Sequence, residues 1–334
     1  MKSMALGTDT KFAFTLDWNL LRTFMVIAEE QSITRAAHRL LRGQPSVSLA
    51  LKRLETELGC RLVDRGHGAF RLTASGRQLY AECSDVFGGV ARLPEVIREA
   101  GEEISGEINI MMASHVVTPL LDEALSALSR EHPRIHFNIR INTSVRVVQA
   151  VRERQASFGI CLVNHRFADV EYEHMYREFF GFYCGPSHPL FGREGLSMAD
   201  LRDFPTVSFD TDDINDALRP VALLRSKWGL DYDIVGRSSQ LEEVRRMIQC
   251  GLGIGSLPIH VVERDTADGL LWRLPPYDDP PAVDIFLVTN PRKRQSRAET
   301  LLISRIRQAI AETPLAKRTY RDTATRPKTA GHAT

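Results

Sequence analysis

The chain has 334 residues, 43% of them hydrophobic and 25% charged, with a formal net charge of +1. That balance excludes a generally disordered chain, and no apolar run approaches the roughly 18 residues that cross a bilayer as a helix, so no membrane partner is expected. The five scattered cysteines (Cys60, Cys83, Cys161, Cys184, Cys250) form no CxxC pair, and Met1 to Thr10 lacks the basic start and apolar core of a secretory signal. The expectation is a cytoplasmic protein with inert thiols, no metal and no cofactor.

Divided along the chain, the charge is uneven. Between Thr34 and Arg77 nine Lys or Arg residues face three acids, a local excess of 9 − 3 = +6, which is the kind of surface that nucleic acid attracts. Leu20, Leu21, Phe24, Met25, Ile27 and Ala28 recur at helical spacing and predict a first amphipathic helix from Asp17 to Glu30. Ser32 can cap a short second helix, Ile33 to Leu41, whose alanines allow close packing. After a turn at Arg42-Gly43-Gln44, Pro45 suits the first position of a third helix with Val47, Leu51, Leu54 and Leu58 on its buried face. Ser48, Leu49, Lys52, Arg53 and Thr56 then point outward. Such a face suits the major groove, where hydroxyls reach base edges and cations hold phosphates; an ordinary solvated face is the alternative reading. Two short strands around the turn Gly66 to Phe70 predict a wing, with Arg65 and Arg71 near its tip.

The stretch SITRAAHRLLRGQPSVSLALKRLETELGCRLVDR, followed by RLTASG, closely resembles the DNA-binding domain of LysR-type transcriptional regulators. The resemblance implies a winged helix-turn-helix bound to double-stranded DNA, with Thr34, Gln44, Pro45, Ser46, Ser48 and Arg53 where that family touches DNA. It also implies that Arg35 and Arg65 contact phosphates. Where the family commonly carries Arg-Gln after the second serine of the recognition helix, this chain has Leu49-Ala50, so Leu49 is expected to meet a thymine methyl.

Thr73 can cap a long helix through Leu79, Tyr80, Val86, Val90 and Leu93, similar to the family's linker helix, and its apolar stripe predicts a homodimer or homotetramer. Gly88-Gly89 and Pro94 should weaken or kink it, with a domain boundary at Gly101 to Gly106. Beyond Glu107 strands alternate with helices, the pattern of a parallel sheet with crossover helices. The arrangement resembles the LysR-type effector domain, an α/β fold of two lobes similar to type 2 periplasmic binding proteins. The expected organisation is an N-terminal extension over 1–15, a DNA-binding domain over 16–76, a linker and hinge over 77–105, and an effector-binding domain over 106–313. Within the last, lobe I takes 106–176 and 283–313 and lobe II takes 177–282. The polar tail 314–334, with five cations against one acid, is expected to be disordered.

In open α/β sheets ligands sit beyond the carboxyl ends of the strands. Candidate effector contacts are therefore Ser114 and His115 after the first strand of this region, Thr143 and Ser144 after the second, then Phe209, Asp210, Thr211 and Ser239 after later ones. Both serines could hold a metabolite carboxylate at a helix N-terminus or could simply cap their helices. RNA polymerase is a further candidate partner. The competing reading is an intracellular metabolite-binding protein or enzyme on the two-lobed fold. No nucleophile elbow, HExxH or P-loop supports catalysis, and Gly251 to Gly255 follows a helix and lacks the dinucleotide spacing.

Overall fold

The computed structural model describes residues 16–64, 70–91, 93, 104–212 and 217–320. The chain falls into two compact units, Met1–Pro94 and Glu95–Thr334.

In the first unit, α1 (Trp18–Glu30), α2 (Ile33–Arg39) and α3 (Gln44–Leu58) enclose a small core of Leu20, Phe24, Ile27, Ala36, Ala37, Val47, Leu51 and Leu54. The Asp17 and Ser32 side chains accept from backbone amides and cap α1 and α2. Helix α2 stops short of its predicted end because the chain turns at Leu41, whose φ of 53° leaves the helical region. Pro45 is the second residue of α3 rather than the first. Gly43 takes the cap position, and the absent amide costs nothing within the first turn. Gly59, at φ 68°, ends α3 in the left-handed conformation that glycine adopts without strain.

Strands β1 (Val63–Asp64) and β2 (Arg71–Leu72) pair antiparallel as the base of the wing; its predicted tip, Arg65 included, lies outside the described residues. Thr73 accepts from the amide of Gly76 at 3.0 Å and opens α4 (Ala74–Ala91), while donating to the carbonyl of Arg61 at 2.7 Å. A Cβ on Gly76 would lie 2.1 Å from the Leu62 carbonyl oxygen, so the glycine of the RLTASG motif is what lets α4 start against the wing base. Helix α4 runs through Gly88-Gly89 to Ala91, while Pro94 lies outside the described residues. A glycine costs only about 1 kcal/mol in a helix interior, and flanking turns carry it.

The second unit is built on β3 (Gly106–Met112), β4 (Ile135–Ile141), β5 (Phe158–Leu162), β6 (Glu171–Cys184), β7 (Thr206–Phe209), β8 (Ile234–Ser238), β9 (Ile254–Pro258) and β11 (Ala282–Thr289) in the order β4-β3-β5-β11-β6-β9-β7-β8. The parallel pattern expected from the sequence holds within each lobe, and antiparallel strands join the lobes, so the sheet as a whole is mixed. β3, β4 and β5 are parallel, as are β7, β8 and β9, but β11 runs antiparallel to β5 and β6, and β6 antiparallel to β9.

The reason is β6. Its Glu171–Phe179 segment pairs with β11 in lobe I, and from Phe180 it pairs with β9 and with β10 (Trp272–Leu274) in lobe II. One 14-residue strand thus serves both lobes. Helices α5 (Pro119–Glu131), α6 (Ser144–Arg152) and α10 (Arg297–Glu312) bury Leu121, Leu128, Val147, Val151, Leu302 and Ile306 in the lobe I core. Helices α7 (Arg219–Lys227), α8 (Leu241–Gln249) and α9 (Glu263–Ala267) belong to lobe II, where a smaller cluster around Phe182, Leu190, Leu201 and Leu274 completes the packing.

Residues 314–320, expected within a disordered tail, form a 3-10 turn over Leu315–Arg318 and a short strand β12 (Thr319–Tyr320) parallel to β6. Arg318 anchors the turn by donating to the carbonyls of Thr313, His174 and Met175.

Candidate nucleic-acid interface and interlobe cleft

The face of α3 turned from the core carries Gln44, Pro45, Ser46, Leu49, Lys52 and Arg53 exposed and Ser48 half-buried, with Leu49 60% exposed. Thr34 on α2 is also exposed. Gly43 offers no side-chain acceptor, so the first amides of α3 lack a side-chain cap at the positive end of the helix dipole.

The basic residues divide by what already holds them. Arg39 bonds Glu29 and Glu30, the latter at 3.0 Å. Arg35 donates to the carbonyl of Glu30, its Nε at 3.1 Å, while its side chain stays 66% exposed. The side chains of Lys52, Arg53 and Arg71 make no hydrogen bond or ion pair among the described residues, and all three residues are exposed. Glu55, on the half-buried flank of α3, accepts from the amides of Leu62 at 2.8 Å and Val63 at 3.3 Å, locking the wing base to this helix. Its role was not foreseen; the only cue is an acid eight residues before the first wing strand, in a segment with an excess of cations.

In the second unit, Ser114 is not a helix cap. Helix α5 starts at Pro119, capped by Thr118, because the chain makes a further turn after β3. Ser114 instead bridges the lobes: its hydroxyl donates to the carbonyl of Ser239 at 3.0 Å and accepts from the amide of Leu241, at the start of α8, at 3.0 Å. His115 is buried, with its ring edge against Phe180 and Phe209 at 5.9 and 6.2 Å. Ser114, His115, Phe209 and Ser239 are thereby brought together.

Thr143 is the cap residue of α6 without a side-chain cap bond, and Ser144 is buried as its first residue; among the described residues no side-chain hydrogen bond joins them to that group. Asp210 is exposed, with its amide on the carbonyl of Ser238, and Thr211 is half-buried.

Sequence reasoning missed the floor of this region. Tyr176, Glu178 and Phe180 alternate along one face of β6 and are fully buried. His115 Nε2 and His260 Nδ1 lie 3.6 and 3.8 Å from the two carboxylate oxygens of Glu178. Burial holds the Glu178 carboxyl well above the usual carboxylate range, pushes His115 down to about 4 and lowers His260. The signal lay in an acid set among the aromatics Tyr176, Phe179 and Phe180.

Desolvation also raises the thiols of Cys83, to about 11, and Cys184, to about 12, and raises Cys161; Cys250 is exposed. No group of three metal-ligating side chains occurs among the described residues, and no helix there is long and apolar enough to cross a membrane.

Residues 18–77 match the family model of the bacterial regulatory helix-turn-helix protein, lysR family, and residues 101–311 match that of the LysR substrate binding domain. The chain is 28% identical over 318 residues to the HTH-type transcriptional activator BauR of Pseudomonas aeruginosa, covering 93% of this chain and 98% of that protein. Its fold is similar to that of full-length CbnR complexed with its target DNA (TM-score 0.60, 19% identity, 88% of this chain and 100% of that one). It is also similar to ArgP from Mycobacterium tuberculosis (TM-score 0.60, 20% identity, 89% and 98%). The wing-to-helix order of the first unit, the two lobes of the second and both model matches agree: the chain belongs to the LysR family of transcriptional regulators.

Proposed function

We propose that this chain reads DNA with the exposed face of α3 and reports a small molecule held between the two lobes. The observation that carries the reading is the set of free side chains on one helix. Ser46, Ser48 and Leu49 are presented for base edges and Lys52 and Arg53 for phosphates, with Arg71 on β2 as a further exposed cation, while Arg35 and Arg39 are engaged within the protein. Gln44 and Pro45 at the start of α3 and Thr34 on α2 are exposed as well, and the dipole end of α3 favours a phosphate there.

The protein acts in the cytoplasm as a homodimer or dimer of dimers, paired through α4, so that two recognition helices address a partly palindromic site. It performs no catalysis. The effector lies where Ser114, His115, Phe209 and Ser239 meet, with Thr143, Ser144, Asp210 and Thr211 at the neighbouring strand ends. Binding shifts the lobes by as much as its affinity differs between their arrangements, and so alters the spacing of the paired DNA-binding units.

The test is a titration with DNA from upstream of the protein's own gene against unrelated DNA at several salt concentrations. Selective binding that weakens steeply with salt is expected, because phosphate contacts release counterions. Absence of binding to either DNA at low salt would refute the reading.

A further inference from the structure

At the crossing point of β6, where pairing passes from lobe I to lobe II, Glu178 is buried with neither carboxylate oxygen hydrogen-bonded among the described residues. His115 reaches it from the β3–α5 connection of lobe I, and His260 from the turn after β9. The tautomer of His260 is fixed by its surroundings. Its Nε2 lies 3.1 Å from the carbonyl of Val117, and since a carbonyl can only accept, Nε2 carries the hydrogen. Neutral His260 therefore turns the lone pair of Nδ1 toward Glu178 Oε2, one acceptor against another. In a dry interior that arrangement is repulsive unless a proton lies between the two atoms.

We propose that this cluster is a proton-operated latch on the cleft: it holds the lobes as seen here while Glu178, His115 and His260 together carry one acidic proton, and it releases them when that proton leaves or a second arrives.

The cluster is sealed from lobe I, lobe II and the C-terminal strand alike. Tyr320 of β12 stands opposite Glu178 in register, stacks on His260 at 4.6 Å and shares a 2.8 Å hydrogen bond with Thr118. Tyr176 on β6 closes a second side, with its ring 5.1 Å from that of Tyr320. Asp122 of α5 acts at longer range on Tyr176 and Tyr320, and Arg318 before β12 on Tyr320.

Both limbs of the pH response follow in sign. Glu178 is raised by burial, so the stability it lends the closed arrangement is present below its ordinary value and is lost as pH rises through the raised one. The histidines are lowered, so an open arrangement that hydrates them takes up protons first, and closure weakens as pH falls through their range. The latch is firm between these limits. Its regulatory meaning rests on the cleft being the effector site.

The amide of Leu241 reports the latch, because its acceptor is Ser114 of the other lobe. Hydrogen exchange at that amide is measured by mass spectrometry on the full chain, without DNA or effector, across a pH series and corrected for intrinsic rate. In the wild type, protection is expected to fall by up to about tenfold per pH unit as pH rises from the ordinary carboxylate range toward the raised value of Glu178, the slope that one linked proton gives, and to level off beyond it. Glu178→Gln, neutral at every pH and able to donate to His260 Nδ1, is expected to keep its protection throughout that limb. Identical profiles in the two proteins would overturn the latch.

Should the variant not fold, infrared spectroscopy of the wild type decides. The other buried acids among the described residues, Asp212, Asp265 and Glu299, are paired with Arg225, Arg245 and Lys293, so a carboxylic-acid carbonyl band at neutral pH that disappears on alkalinisation is assigned to Glu178. Its absence would overturn the proposal equally. Neither result touches DNA binding, so the latch and the regulator reading fail or stand separately.

Discussion

Arg35 and Arg53 are both exposed arginines in the basic segment, yet their surroundings give them different work. Arg35 is drawn onto the carbonyl of Glu30, whereas Arg53 has no partner among the described residues, so Arg53 is the better placed to hold a phosphate. Residue type and spacing made both legible as cations; the competing carbonyl at the end of α1 was not, because it depends on how α1 and α2 cross. Ser114 shows the same limit. A serine after a strand was readable as a cleft residue, but its partners are Ser239 and Leu241, more than 120 positions away. At this scale Glu55→Ala is expected to cost about 1.5–3 kcal/mol in the first unit, measured by denaturant unfolding, since two wing amides lose an ionised acceptor. Cysteine exposure gives a second expectation. An alkylating reagent should label Cys250 quickly in the folded protein and leave Cys83, Cys161 and Cys184 unlabelled, as read by mass spectrometry of digests.

Among elements, α3 was the most legible, because Val47, Leu51 and Leu54 repeat at helical spacing and are the residues buried. Strand β6 was the least. Its run EYEHMYREFFGFYC mixes acids, bases and aromatics because one half faces lobe I and the other lobe II, so no single alternation describes it. That omission concealed both the antiparallel centre of the sheet and Glu178. The linker helix presents a different case. Val86, Val90 and Leu93 are 36%, 49% and 52% exposed and recur at helical spacing along one stripe. Val90→Glu is expected to lower the oligomeric state seen by analytical ultracentrifugation while leaving the thermal melt of the second unit unchanged. A protein that keeps its full assembly would place the pairing surface elsewhere.

For the whole molecule, the resemblance of the first eighty residues gave the class, and the alternation of strands and helices gave the architecture of the remainder. The join between lobes was out of reach because it is made by β6, the β9 turn and a C-terminal strand that composition marked as disordered. Stability in lobe II leans on one buried ion pair, Arg225 with Asp212 at 2.6 Å, extended to Asp231 at 2.6 Å. Arg225→Met should destabilise the second unit by about 3–5 kcal/mol in a calorimetric or denaturant melt, since Asp212 is left buried without its cation. Regulation joins this unit to the DNA-binding one, and it has meaning only if α3 reads DNA. The most direct test compares wild type and Arg53→Ala for affinity toward DNA upstream of the protein's own gene across a series of salt concentrations, with circular dichroism confirming the fold of both. A loss of about 1–3 kcal/mol, with a salt slope shallower by about one, is the predicted result; equal affinity and equal slope in the two folded proteins would contradict the account.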